Sequence, residues 1–589
     1  MVAEASVAVS RHRDSCICRA WQWQWLKRDS QHTPLALAIM ATCGSNCCDG
    51  DFDKDDVTTR TIESCLPFPL PDEILEDIVP KAKDFALLHG AGMRYKNKYD
   101  ADTLQFAPFF LLPSGFPRRE FERVVKLQPI INILMHKIAH DHEFLRSALE
   151  KTIKVDEFTR RLWDIYTTVR EEGVAQDMSL GLVRSDVMLT KCQAGCCELC
   201  QTPPYVTVHQ VEVNTIASGF GHMGPISGSM FRCDYFYSVP SQIAQQVEIN
   251  TVASSFGALA ARISLMHRYV LGELRKPELL SHLPENDALA GLCGGMISAW
   301  DAYGCPKAVI LFVVEDVTYN ICDQRFHEYE IRRQRPDIHV IRRSLTQIGQ
   351  QGHLTSDKRL IITCAPAVSD YESCPAYVVL FRAGYEPGQY HTEAEWEARL
   401  TVERSKAIKS PSIQYHLAGT KKVQQEIARP GILKKFLSDS EAKLVSQLFT
   451  GLYTLDMSPE GDQAVQMAVE NPERFVLKPQ REGGGNNVYG EEIRTVLEKI
   501  RDSKEREAYI LMDRIRPPIQ QNYLVRAHQA ATLVEVVSEL GIFGTILGNA
   551  KDIQSSKFAG HMLRTKLSSV NEGGVAAGLG ALDSVFLFD

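Results

Sequence analysis

The 589-residue sequence has no apolar run near the ~18 residues that a membrane-spanning helix requires. The best stretch, PLALAIMA from Pro34, is too short. It also lacks a basic excess. Its 65 Lys and Arg against 73 Asp and Glu leave a net charge of −8, which argues against general nucleic-acid binding. No G-x-x-x-x-G-K-[ST] occurs, which excludes a P-loop. The 16 cysteines are scattered and form no compact disulfide framework, so the expected compartment is a reducing one. One cluster, Cys192 to Cys200 (CQAGCCELC), has a thiol density that could bind zinc, but it reads as a loop inside an insertion. What is present is ordinary for a globular chain, with 44% apolar and 23% charged residues and enough length for several domains.

Residues 1–64 are irregular. Their first part is Arg-rich and poor in acids, so they read as an extension, as a faint organelle presequence, or as sequence ahead of a later start at Met40. From residue 65 the pattern becomes regular. Pro71 and Asp72 open a helix with Ile74, Leu75, Ile78 and Val79 at helical spacing, and amphipathic helices are expected from Phe121 and from Asp156. β-Branched runs from Lys307, Asp337 and Ala376, with the helical NICDQRFHEYEIRRQ between the first two, predict a parallel-sheet module. The expected class is α/β (α+β) in several layers.

The chemistry concentrates in RFVLKPQREGGGNNVYGEE, from Arg474. Lys478 ends a buried strand and can pair with phosphate oxygens. Glu482 suits Mg²⁺. Gly483, Gly484 and Gly485 let backbone N–H groups approach a polyphosphate. AYILMDRI, from Ala508, ends a strand that offers backbone groups and Met512 to an adenine. VVSELGIFG buries Glu539, and a lone carboxylate there needs a partner, such as a ribose hydroxyl or a cation. Arg564 and Lys566 precede GGVAAGLGA, a small-residue stretch suited to closing over a ligand. A G-x-G-x-x-G at Gly219, Gly221 and Gly224 is followed by Pro225 and no helix, so it does not read as a dinucleotide site.

These residues together place cations and glycines on one side of a nucleotide and Glu539, Arg564 and Lys566 on the other, which resembles the ATP-grasp architecture. Six stretches in order, RSDVM at Arg184, QVEINT at Gln246, LAGTKKVQQE at Leu417, LKPQREGGGNN at Leu477, SELGIFG at Ser538 and MLRTK at Met562, resemble eukaryotic glutathione synthetases over roughly residues 66–589. The resemblance implies an ATP-dependent ligase that joins γ-glutamylcysteine to glycine. It also implies a homodimer with two Mg²⁺ per site, and no membrane or nucleic-acid partner. It implies residues 65–305 as an N-terminal ATP-grasp part, 306–418 as a substrate module and 419–589 as the C-terminal ATP-grasp part.

By the same resemblance, Glu248, Asn250 and Glu482 hold metal. Lys421, Lys478, Gly483, Gly484, Gly485, Asn486, Asn487, Tyr489, Met512, Asp513, Arg514, Ile515, Glu539, Lys566 and Glu572 bind ATP, with Glu248 contributing through the metal. Arg184, Val252, Ala253, Ser254, Ser255, Asn320, Gln324, Arg382, Tyr385, Arg564, Val575 and Ala576 bind peptide, and Arg184, Arg564 and Lys478 are the catalytic set. Two residues depart from the family pattern. Val187 stands where Tyr is usual, and Glu572 where Asp is common.

The larger departure is a duplication. VEVNTIASGFG begins at Val211 and VEINTVASSFG at Val247. Alternation puts Glu and Asn of either copy on one strand face, where both can reach one Mg²⁺. Only the second copy is followed by a helical pattern and by Ser255 (the first has Gly219). Glu248 and Asn250 are therefore the expected ligands, with about 190–244 looping out as an insertion, since long loops cost little closure entropy. A different amine in place of glycine, or a non-catalytic homologue disabled by the insertion, are the other readings the sequence allows.

Overall fold

A computed structural model describes residues 62, 64–95, 99–191, 208–214, 242–246, 257–363, 373–481, 486–571 and 580–589. Helices and strands alternate in a mixed α/β architecture with several sheets.

The central sheet runs in the order Gln520–Val525, Phe109–Phe110, Gly580–Asp583, Ile553–Leu567, Thr532–Gly548, Ser179–Lys191 and Val208–Asn214, with Gln242–Gln246 also paired to Ser179–Lys191. Helices cover both faces. Gly544 faces Asn132 of the Arg118–His140 helix, while Gly295 of the Ala288–Tyr303 helix faces Thr545, the next residue along the same strand. Successive strand residues point to opposite faces, so the two helices lie on opposite sides. A Cβ at Gly544 would sit 2.2 Å from the Asn132 amide oxygen, so glycine is what lets that helix approach.

A second sheet runs Gly352–Leu354, Leu360–Thr363, Ser373–Phe381, Val309–Val313 and His339–Arg343, with Ile408–Ser410 beside Ser373–Phe381. Its inner pairings are parallel. That explains why Val309–Val313 is apolar and buried at every position, since a parallel strand is covered on both faces. The third, antiparallel sheet is small: Leu452–Thr454, Tyr509–Asp513, Phe475–Pro479 and Val488–Tyr489. It has its own core, built on Leu455, Val465, Phe475, Leu477, Leu497 and Leu511. A last strand, Val585–Phe588, runs parallel to Ser114–Pro117.

The expected helices are found at Asp72–Leu88 with Pro71 as N-cap, at Arg118–His140, at Glu157–Glu171 capped by the Asp156 carboxylate, and at Ile321–Gln334. One expectation is corrected. Within the 190–244 segment, Val208–Asn214 does not loop out but joins the central sheet. The reason is that its alternating VEVN pattern can add to the open edge of the Ser179–Lys191 strand.

At the end of the Gly580–Asp583 strand, Asp583 is fully buried and accepts from Ser114 Oγ at 2.6 Å, Thr565 Oγ1 at 2.7 Å and the Ser584 amide at 2.7 Å. Burial nevertheless pushes its carboxyl up to about 7. A raised carboxyl favours the folded state while protonated, so its contribution is present below the unfolded value and is lost as pH rises through about 7. We expect Asp583→Asn to flatten the pH dependence of Tm between pH 4 and 7. A curve parallel to the parent's would refute this.

Candidate nucleotide and peptide site

Three adjacent strands of the central sheet assemble a buried charge cluster. Arg184 donates from Nε and Nη2 to both oxygens of Asp186, at 2.6 and 2.5 Å. The two residues are two apart on one strand and therefore share a face. Glu539 stands directly opposite Arg564 in register. Arg564 donates from Nε to Glu539 at 2.8 Å and from Nη2 to Asp186 at 3.3 Å. Arg184, Asp186 and Glu539 are all less than 9% exposed. Burial raises the Glu539 carboxyl, and the Arg564 guanidinium opposes that rise. The partner that the sequence required for Glu539 is thus a cation from the neighbouring strand. The cluster has two guanidinium groups and two carboxylates, and Arg564 alone is partly open to an incoming anion, at 21% side-chain exposure.

The small sheet carries the other half. Lys478 pairs in register with Ile510 and is 1% exposed. Tyr489 lies opposite Val476, which itself lies opposite Met512, so Lys478, Tyr489 and Met512 sit on three adjoining strands. Asn487 donates to the Tyr489 hydroxyl at 3.4 Å. Asp513 accepts from the Tyr453 hydroxyl at 3.1 Å and from Arg474 at 3.3 Å, and burial raises its carboxyl. Lys421, 1% exposed at the start of the Lys421–Ile427 helix, donates to the Arg481 carbonyl just beyond the Phe475–Pro479 strand. Asn571 ties this half to the central sheet. It receives Arg514 Nη2 on its side chain at 2.8 Å and Lys566 Nζ on its carbonyl at 2.5 Å. Ile515 packs on the main core.

The parallel sheet brings together Asn320, Gln324 and Arg382. Arg382 follows the Ser373–Phe381 strand and donates Nη2 to Asp323 at 2.8 Å; both side chains are at most 2% exposed. Asp323 also accepts the Ala258 amide at 2.9 Å, fixing the start of the Gly257–Glu273 helix at this point. Gln324 donates to Asn320 at 3.1 Å and accepts from Arg342 at 2.6 Å. Tyr385 is half-buried, its hydroxyl raised by burial and by Glu315 and Glu386.

Glu248, Asn250, Val252, Ala253, Ser254, Ser255, Glu482, Gly483, Gly484, Gly485, Glu572, Val575 and Ala576 lie outside the described residues, as do the Cys192 cluster and the Gly219 motif; Asn486 is described and exposed. Among the described residues no group of three or more His, Cys, Asp or Glu is placed to hold a metal. Asp186 and Asp323 were missed as site residues. Asp186 was visible in principle, since an acid two residues beyond Arg184 on a strand shares its face.

The family model described as "Eukaryotic glutathione synthase, ATP binding domain" matches residues 72–230 and 222–587. The glutathione synthetase of Xenopus laevis is 41% identical over 518 residues, covering 87% of this chain and 97% of that protein. That of Homo sapiens is 39% identical over 516 residues, with the same coverage of each. The chloroplastic glutathione synthetase of Solanum lycopersicum is 36% identical, covering 90% of this chain and 88% of its own. In fold, the chain is similar to GSS30, a glutathione synthetase-like effector from Globodera pallida solved in apo form, with TM-score 0.63 at 23% identity over 89% of this chain and all of that one. Matched along nearly its whole regular length, the chain belongs to the eukaryotic glutathione synthase family, the ATP-dependent ligases that make glutathione.

Proposed function

We propose that this chain ligates γ-glutamylcysteine to glycine at the expense of ATP, in an ATP-grasp cleft between the small antiparallel sheet and the central sheet. The observation that carries the reading is the 41% identity running over 97% of a glutathione synthetase. The buried cations agree with it, because the reaction gathers a triphosphate and two carboxylates in one site. The cysteinyl carboxylate attacks the γ-phosphorus and ADP leaves, giving an acyl phosphate. Glycine's neutral amine then attacks the acyl carbon, the C–O bond to phosphate breaks, and the amine releases its proton. Such chemistry is mostly positioning and charge neutralisation. Lys478 meets the phosphates from the small sheet, and Arg564 with Arg184 meets the developing negative charge from the central sheet. Asn320, Gln324 and Arg382 orient the dipeptide.

A Glu-x-Asn pair offers carboxylate and amide oxygens two apart on a strand, a donor set that suits a hard divalent cation. Mg²⁺ bound there would neutralise phosphate charge. Glu248, Asn250 and Glu482 remain the proposed ligands, for two Mg²⁺ per site. A cytoplasmic homodimer is part of the same reading, and sedimentation of the purified chain tests the dimer. No helix among the described residues is long and apolar enough to cross a membrane.

Purified protein with ATP, Mg²⁺, γ-glutamylcysteine and a panel of amino acids tests the reaction. Phosphate release with glycine alone supports it. Release with another amine, or with none, overturns it. Within that assay, Arg382→Met is expected to raise KM for the dipeptide about 10–100-fold, the equivalent of a charge-assisted hydrogen bond worth about 1.5–3 kcal/mol. The change also strips Asp323 of its guanidinium, so Tm is measured alongside. An unchanged KM removes Arg382 from the peptide site.

A further inference from the structure

The peptide site contains two side-chain amides, Asn320 and Gln324, whose direction decides what they offer a ligand. A carboxamide donates from its nitrogen and accepts at its oxygen, so turning it over reverses its role. Asn320 is the N-cap of the Ile321–Gln334 helix, and Gln324 and Glu328 follow at four-residue steps, in one row on the same helical face. All three are at most 8% exposed. The His339–Arg343 strand sends Arg342 onto this row. Arg342 donates Nη2 to Gln324 Oε1 at 2.6 Å and Nη1 to Glu328 Oε1 at 2.8 Å. Arg325 holds the other Glu328 oxygen at 2.6 Å.

The direction of both amides follows from Arg342. A guanidinium has donors only, so Gln324 turns its oxygen to it. The Gln324 nitrogen is then left to donate to Asn320 Oδ1, as it does at 3.1 Å. With its oxygen engaged, Asn320 meets a ligand with its nitrogen. Among the described residues nothing accepts from Asn320 Nδ2. Reversing the row would set a Gln324 N–H against the guanidinium and leave buried donors unpaired, which is costly.

Charge indicates which acceptor fits. Arg382 is near enough that its charge opposes that of Arg342, so an acceptor bound here meets two cations. Two acids, Glu315 and Glu386, act on Tyr319 and Tyr385, and Arg382 also acts on Tyr319. Charges of both signs thus meet at this site, as the carboxylate and ammonium of an α-amino-acid end require.

We propose that Arg342 is a positioning residue of the peptide site. Through Gln324 it fixes Asn320 as a hydrogen-bond donor, and the site thereby selects a carboxylate. The cysteinyl carboxylate of the dipeptide is the one activated at the nucleotide, so Asn320 takes the α-carboxylate of the glutamyl end. The identity of this ligand rests on the proposed function; the direction of the amides does not.

Kinetics of the full chain with γ-glutamylcysteine, and with its analogue lacking the glutamyl α-carboxylate, test the assignment. Arg342→Met is expected to raise KM for the dipeptide about tenfold, the worth of one hydrogen bond. It should leave kcat near the parental value and leave the constant for the analogue (KM, or Ki if it is not turned over) unchanged. Arg342→Lys keeps one donor for Gln324 and should recover part of the loss. Arg342→Met leaves Glu328 with Arg325 alone, so Arg342→Met with Glu328→Gln is run beside it, with Tm measured for each, and should show the same split. A dipeptide KM that does not move, or constants that rise equally for dipeptide and analogue, overturn the inference and leave the proposed function standing. A parent that releases no phosphate with dipeptide and glycine overturns the proposed function, and with it the ligand assigned to Asn320.

Discussion

Replacing Lys478 with Met lowers turnover by about thirtyfold to a thousandfold and leaves the protein folded. The loss is the about 2–4 kcal/mol attached to one preorganised charge facing a transition state in a water-poor site. Lys478 is 1% exposed on the strand at the centre of the small sheet's ladder, between Tyr509–Asp513 and Val488–Tyr489. Methionine keeps most of the stem volume and sheds the ammonium. The apolar core around Leu477 and Leu511 therefore keeps its packing. The test is steady-state kinetics beside thermal unfolding. A variant with parental turnover would mean that Lys478 is a structural lysine and that the phosphates bind elsewhere.

Arg564→Met has a second effect besides lost activity: it destabilises the fold by about 3–5 kcal/mol, the cost of orphaning buried ionic partners. Arg564 reaches both Glu539 and Asp186. Arg184 still serves Asp186 once it is gone, but Glu539 loses its closest cation. Glu539 is already raised by burial, and without Arg564 it rises further, so the folded state takes up a proton that the unfolded state gives up sooner. Stability of the variant is therefore fully present below the ordinary carboxylate range and falls as pH increases through the raised value. The parent has the same dependence at Glu539, weakened by the opposing pull of Arg564. Unfolding curves from pH 5 to 8 should show the gap between variant and parent widening with pH, and Glu539→Gln in the Arg564→Met background should narrow it at pH 8. A gap constant with pH would refute the account.

The folds around Lys478, Glu539 and Arg564 were legible because their sequence signals are local. An apolar run, Phe475 to Leu477, ends at a Lys, a carboxylate sits inside the largely apolar VVSELGIFG, and an Arg lies two residues before a Lys. The parallel module was equally visible, since VILFV admits few readings other than a strand covered on both faces. Asp323 escaped notice because its importance comes from distance in the chain. It serves Arg382 fifty-nine residues later and the Ala258 amide sixty-five residues earlier, and helical periodicity records neither. The place of Val208–Asn214 in the central sheet escaped for the opposite reason. The helical pattern behind the second copy favoured that copy, but an edge recognises the pairing strand itself, and residues 211–214 carry the alternation of one.

Phe109 and Phe110 pair with Leu524, Val525 and Leu582, and the Leu112 amide reaches Asn522, 410 residues away. Translation at about 5–20 residues per second therefore leaves those aromatics waiting roughly 20–80 s for their partners. The helix Arg118–His140 waits as long for the strand that carries Gly544. During that interval the nascent chain presents apolar surface with nothing native to cover it, so its yield in a cell depends on holding factors and on temperature more than on the stability of the finished sheet.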